Sequence, residues 1–175
     1  MSQSKINMKN IEEVKNGLDL KSLKVCVIGI GRIGLPTALS FAKSGLHTIG
    51  VDINENLIQK INSGVFPLKD EPGYEDIFKQ VLKEETFSVT SKIENAVPNC
   101  DLILLSLPTP MDKNNIPDYS ALRSVTTQLS DILSPNSLVI VESTIEPGFI
   151  EDEMISLISK SNRLKIEETF QIGVC

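Results

Sequence analysis

Apolar positions along this chain follow two alternating periods. Short runs rich in Val, Ile and Leu are apolar on both faces: VCVIGI (25–30), HTIGVD (47–52), FSVTS (87–91), DLILLSL (101–107), SLVIVES (137–143) and FQIGV (170–174). That is the pattern of strands in a parallel sheet covered on each side. Between them the period becomes helical. Leu35, Ala38, Leu39 and Ala42 stand at i, i+3, i+4 and i+7, with Gly45 as the stop. Tyr74, Ile77, Phe78, Val81 and Leu82 repeat the pattern, and Asp118 is positioned to N-cap a helix carrying Leu122, Val125, Leu129 and Ile132 that ends at Ser134-Pro135. A last helix carries Ile150, Met154, Leu157 and Ile158. Strand and helix alternate from Lys24 onward without repeats or a low-complexity linker, which predicts an α/β fold with a doubly wound parallel sheet and right-handed crossovers. Residues 1–20 are polar, with only Ile6, Ile11, Val14 and Leu18 in sparse apolar register. They read as an N-terminal extension with a short surface helix, ahead of one domain over residues 21–175.

Composition narrows the function classes. A chain of 175 residues suits one domain with a real core. Aromatic residues make up 5%, Trp is absent and the net charge is −6, so base-stacking platforms and basic surfaces for nucleic acid or anionic membranes are not expected. An anionic nucleotide would have to be held by backbone dipoles. No apolar run reaches the roughly 18–20 residues of a membrane span, and the first twenty residues lack the apolar core of a signal peptide. Cys26, Cys100 and Cys175 are odd in number and widely spaced in apolar contexts, which predicts buried thiols in a reducing, cytoplasmic compartment.

Candidate chemistry centres on Gly29, Gly31 and Gly34, a G-x-G-x-x-G turn. The glycines alone are a weak signal. Here a strand precedes them, an amphipathic helix follows, and Asp52 closes the next strand. Gly29 would allow the tight turn, Gly31 the approach of a pyrophosphate, and Gly34 the packing of helix on strand. The helix N-terminus would neutralise phosphates without a lysine. The bland alternative is a tight turn without a ligand. Asp52 separates cofactors, because its carboxylate accepts from ribose hydroxyls but repels a 2′-phosphate. One pair of unit charges about 4 Å apart costs roughly 4 kcal/mol at an effective dielectric of about 20. The next residues, Ile53 and Asn54, offer no arginine, so NAD is favoured over NADP. The alternative for Asp52 is a helix N-cap.

The second half of such a site lies past the switch point of the sheet. DLILLSL runs into Pro108-Thr109-Pro110, and SLVIVES ends in Ser143-Thr144, before Glu146-Pro147-Gly148. Thr109 and Thr144 therefore reach the carboxyl edge of the sheet, as cofactor contacts or as parts of a proline-stiffened turn and a helix cap. Both readings stay open on the residues alone.

With these segments the chain resembles the N-terminal domain of the UDP-glucose/GDP-mannose dehydrogenase family, most closely the branch that acts on UDP-N-acetyl-D-mannosamine. The resemblance covers residues 24–175 and rests on VIGIGRIGLPTA (27–38), IGVDIN (49–54), DEPGYEDI (70–77), LPTP (107–110), PDYSAL (117–122) and ESTIEPGF (142–149), in order. It implies a Rossmann-type NAD-binding domain of an enzyme that oxidises the C6 alcohol of a nucleotide sugar to a carboxylate. Two hydride transfers proceed through a thiohemiacetal and a thioester. It further implies that Arg32 and Ile33 contact the pyrophosphate through backbone amides, Asp52 holds the ribose, Thr109 lines the groove, and Thr144 contacts the cofactor near the reacting centre and helps order a catalytic water. Full-length members are commonly homodimers. One departure is Arg32, where members of this branch usually carry Tyr.

The resemblance also implies a continuation Cys-Pro-Glu-Arg after the last strand, and a nucleophilic Cys further on. Cys175 matches the first residue of that stretch and not the nucleophile, so this chain by itself is expected to bind NAD without turnover. Cys26 and Cys100 read as core thiols, and His47, which opens a strand, as structural. No His/Cys/Asp cluster has metal spacing, so no metal is expected. Two rival readings remain: a stand-alone NAD-binding or sensing module without catalysis, and another NAD-linked alcohol or 3-hydroxy-acid dehydrogenase with a similar first domain. The second leaves the LPTP and ESTIEPG segments unexplained.

Overall fold

A computed structural model of the chain describes residues 6–68, 70–161, 164–166 and 168–175. Six strands form one parallel sheet: β1 (Lys24–Ile28), β2 (His47–Val51), β3 (Phe87–Thr90), β4 (Leu102–Leu105), β5 (Ser137–Val141) and β6 (Phe170–Val174). Their spatial order is β3-β2-β1-β4-β5-β6. The direction of winding reverses between β1 and β4, which pair directly, with Val25 opposite Leu102 and Ile28 opposite Leu105. All six predicted strands are present.

Period-two alternation sorts the side chains of the central strands onto two cores. Val25 and Val27 of β1, with Leu102 and Leu104 of β4, face one side and pack on α2 (Gly34–Lys43), α3 (Glu55–Asn62) and α4 (Tyr74–Lys83). Cys26, Ile28, Ile103 and Leu105 face the other, against α5 (Ile93–Ala96), α6 (Ser120–Ile132) and α7 (Ile155–Ile158). Burial on both faces is why these strands read as continuous apolar runs. The period-3.6 residues of α2, namely Leu35, Ala38, Leu39 and Ala42, are all fully buried.

Local differences from the sequence reading have local causes. Asp118 does not occupy the N-cap of α6. That position is Tyr119, and the Asp118 carboxylate accepts the Ser120 N–H at 2.8 Å. The last predicted helix is a widened π-helical turn, Ile150–Met154, running into the short α7. Helices α3 and α5 go beyond the predicted set, because α3 buries only Ile58 and Ile61 in a charged stretch and α5 is one turn long. In the N-terminal segment, α1 (Ile11–Asp19) is capped by Asn10, whose side chain accepts from the N–H groups of Glu12 and Glu13. Met8 is buried against the α2 face and its N–H donates to the Asn136 carbonyl at 3.2 Å. Cys26 and Cys100 are buried as predicted, whereas Cys175, which follows the final strand, is exposed.

Candidate functional site

A cavity of about 760 Å³ opens at the carboxyl ends of the strands, where β1 and β4 diverge into their loops. Gly29, Gly31, Arg32, Ile33, Asp52, Thr109 and Thr144 all line it. Seven of the eight residues singled out from sequence therefore meet around one cavity. The eighth, Gly34, lies just behind it.

The three glycines are required for different reasons. Gly29 has φ +88, and a Cβ there would sit 2.4 Å from the Ser106 carbonyl oxygen. Only glycine fits that conformation and that approach. Gly34 is the tightest point, because a Cβ would lie 1.9 Å from the Gly29 carbonyl oxygen and 3.0 Å from Ser106 Cβ. It allows α2 to pack on the turn. At Gly31 a Cβ would meet nothing within 4 Å. Packing gives no reason for glycine there. An added methyl would occupy only space at the cavity wall, which is what close approach of a ligand to the backbone requires. Helix α2 starts at Gly34 without a side-chain cap, so its dipole is available to an anion.

Asp52 is fixed from two sides. Its Oδ2 accepts the Ile30 N–H at 3.1 Å and its Oδ1 accepts the Asn54 N–H at 2.9 Å. The first bond ties the end of β2 to the glycine turn across 22 residues. Each carboxylate oxygen keeps further acceptor capacity. Asp52 is not the N-cap of α3. Asn54 is, accepting the Leu57 N–H at 3.2 Å.

The β4 and β5 ends are held together by side chains. Ser143 Oγ accepts the Leu107 N–H at 2.9 Å and lies 2.8 Å from the Leu107 carbonyl and 3.2 Å from that of Leu105. This stitches the Pro108-Thr109-Pro110 loop to the strand that carries Thr144. Glu142, one residue earlier, reaches across the sheet edge, where its Oε1 accepts the Thr37 hydroxyl at 2.8 Å. Its Oε2 is shielded from solvent and has no hydrogen-bond partner. The loop after Thr144 is pinned by Tyr119, whose hydroxyl accepts the Glu146 N–H at 3.0 Å. Tyr119 packs on Phe149 at a 4.4 Å centroid distance. Arg123 covers both rings and pairs with Glu153 through two bonds of 2.6 and 2.8 Å. That pairing holds the Glu153 carboxyl below the usual carboxylate range. Ser143, Glu142, Thr37 and Tyr119 were not named as functional from sequence. Three of them lie inside the ESTIEPGF and PDYSAL segments, but no local pattern tells which partner each meets.

Other chemistry is displaced from the cavity. His47 is exposed at the amino end of β2, the opposite edge of the sheet. No His or Cys lines the cavity among the described residues. The Cys26 thiol is pushed well up by its hydrogen bond with Cys100 and by burial, which makes it a poor nucleophile. Among the described residues no group of three His, Cys, Asp or Glu side chains is placed to hold a metal ion. No helix among them is long and apolar enough to cross a membrane.

A parallel sheet wound both ways, a glycine turn beneath an open cavity and a strand-end aspartate define a dinucleotide-binding domain of the Rossmann type. The chain belongs to the UDP-glucose/GDP-mannose dehydrogenase family, whose NAD binding domain matches residues 23–175. It is 36% identical over 129 residues to the UDP-N-acetyl-D-mannosamine dehydrogenase of Pyrococcus horikoshii, covering 74% of this chain and 30% of that protein. It is 30% identical over 155 residues to the UDP-N-acetyl-D-glucosamine 6-dehydrogenase of Pseudomonas aeruginosa, covering 88% of this chain and 35% of that protein. Among solved structures, a ternary complex of GDP-mannose dehydrogenase from Pseudomonas aeruginosa superposes with a TM-score of 0.81 at 27% identity, covering 86% of this chain and 35% of that one. The chain thus spans about a third of the length of the relatives it matches.

Proposed function

We propose that this chain is the cofactor-binding part of an NAD-dependent nucleotide-sugar 6-dehydrogenase, which oxidises the C6 alcohol of a UDP-sugar of the UDP-N-acetylmannosamine or UDP-glucose type to a carboxylate. The observation that carries the reading is the joint presence, around one cavity, of the open Gly31 backbone, the fixed Asp52 carboxylate and Thr144 at the far strand end. NAD, when bound, supplies the hydride acceptor for both oxidation steps. In this reading the N–H groups of Arg32 and Ile33 bind the pyrophosphate, and Asp52 accepts from the adenosine ribose hydroxyls. Thr109 lines the groove, and Thr144 contacts the cofactor near the reacting carbon and helps order a water. No thiol lines the cavity among the described residues, so the covalent step is assigned to a cysteine outside these 175 residues. The setting we infer is cytoplasmic polysaccharide-precursor synthesis by a homodimer, with no nucleic-acid partner.

The test is stoichiometric. The full-length protein, supplied with UDP-N-acetylmannosamine or UDP-glucose and NAD, is expected to form two NADH per uronate. One NADH per sugar would overturn the oxidation to a carboxylate, and none with either sugar while NAD still binds would overturn the dehydrogenase assignment in favour of a binding module without catalysis.

A further inference from the structure

Arg32 is the residue at which this chain departs from the branch it resembles, and the structure gives that departure a partner. Arg32 follows Gly31 on the turn and lines the cavity. Its side chain is 75% exposed and makes one loose ion pair, Nη2 to Asp70 Oδ2 at 3.6 Å. Asp70, 83% exposed at its side chain, belongs to the segment between α3 and α4. An exposed single-point pair of this kind contributes little and is readily exchanged. Charged groups on the cavity wall among the described residues are Arg32 and Lys92 against Asp52, Glu94 and Glu142. Lys92 follows β3, on the far side of Asp52 from the turn, so Arg32 is the cation beside the glycines. The adjoining Gly31 backbone faces open space. A pyrophosphate seated there would bring two negative charges within reach of a guanidinium whose present partner offers one. Arginine's planar fork is matched to two phosphate oxygens at once.

We propose that the Arg32 guanidinium is a direct pyrophosphate ligand of this domain and that Asp70 competes with the cofactor for it. The proposal rests on the NAD-binding reading and adds a side-chain charge to a turn that otherwise binds through its backbone. Binding then includes an exchange: the guanidinium leaves the Asp70 carboxylate and closes on the pyrophosphate. The consequence is asymmetric. Removing Arg32 weakens the cofactor, whereas neutralising Asp70, whose ion pair with the turn is made to the Arg32 side chain, strengthens it.

The experiment is calorimetric titration of the chain and of R32A, R32K, R32Y, D70N and the R32A/D70N double variant with NAD, ADP and adenosine. R32A is expected to weaken NAD and ADP on the order of tenfold and to leave adenosine, which has no phosphate, unchanged. R32Y should match R32A, and R32K should recover part of the loss. D70N should tighten NAD by about two- to threefold in the parent chain and not at all in R32A. Added salt should weaken the parent more than R32A. NAD affinity unchanged in R32A, or a D70N gain that persists without Arg32, would overturn the proposal while leaving the NAD reading intact. If the parent bound neither NAD nor ADP, the cofactor reading itself would fail and this one with it.

Discussion

The two halves of the cavity are built from different materials. On the β1–β2 side, recognition is main-chain geometry: a turn that tolerates no Cβ at Gly29 or Gly34, a helix start without a side-chain cap, and a carboxylate held by two backbone N–H groups. On the β4–β5 side it is side chains reaching across long sequence distances. Ser143 bonds to Leu107 across 36 residues, Glu142 to Thr37 across 105, and Tyr119 to Glu146 across 27. A phosphate is satisfied by any correctly spaced N–H groups, so the first half can be written in one short segment. The second half is assembled from groups on several elements at once.

The largest effect should separate fold from binding within the glycine turn itself. G34A forces a Cβ into the Gly29 carbonyl, and neither backbone can give way. Its destabilisation is expected to exceed about 3 kcal/mol in denaturant unfolding. G31A meets nothing, so stability should stay within about 1 kcal/mol of the parent while NAD affinity falls. Equal effects of the two variants on stability would erase the distinction drawn between them.

Next in size is the stitch on the other side. S143A leaves the Leu107 N–H without its acceptor in a part-buried setting, a cost of about 1–2 kcal/mol by the same unfolding measurement. Smaller again is T37V, which removes the donor to Glu142 and should cost about 1 kcal/mol. Its effect should be largely absent in an E142A background, which lacks the acceptor. Independent, additive losses in that pair would mean the bond across the sheet edge contributes nothing.

The smallest effect concerns acid. The Asp118 carboxyl is held below its ordinary range, first by the Ser120 backbone N–H and then by the Ser120 side chain. Asp112 is lowered likewise by the N–H groups of Ile116 and Asn114. A depressed folded-state pKa means stability that is present above the ordinary carboxylate range, near pH 4, and lost as pH falls through the folded value. D118N should therefore be less stable than the parent at neutral pH, with the difference closing as pH falls below about 4. A difference that is constant with pH would contradict the assignment.

This contrast also explains what was legible in the sequence. All six strands and the α2 register could be read, because burial on both faces or one face leaves a periodic trace in the residues themselves. The glycine turn and Asp52 were legible because the geometry they require is local. Helix α3, with two buried residues in a charged stretch, left too faint a trace, and the cap of α6 fell one residue later than Asp118 suggested. Glu142, Thr37 and Tyr119 had no readable signal of partnership. Their contacts exist only once β4, β5, α2 and α6 are brought to one edge.

The central claim is that Asp52, pinned to the turn by Ile30, makes this cavity an NAD site. Its most direct test is parallel titration of the parent chain and D52A with NAD and NADP. The parent should prefer NAD by at least about tenfold, and D52A should lose NAD affinity by about ten- to a hundredfold together with most of that preference. A parent chain that binds NADP as well as NAD, or a D52A variant that keeps the full preference, would contradict the claim.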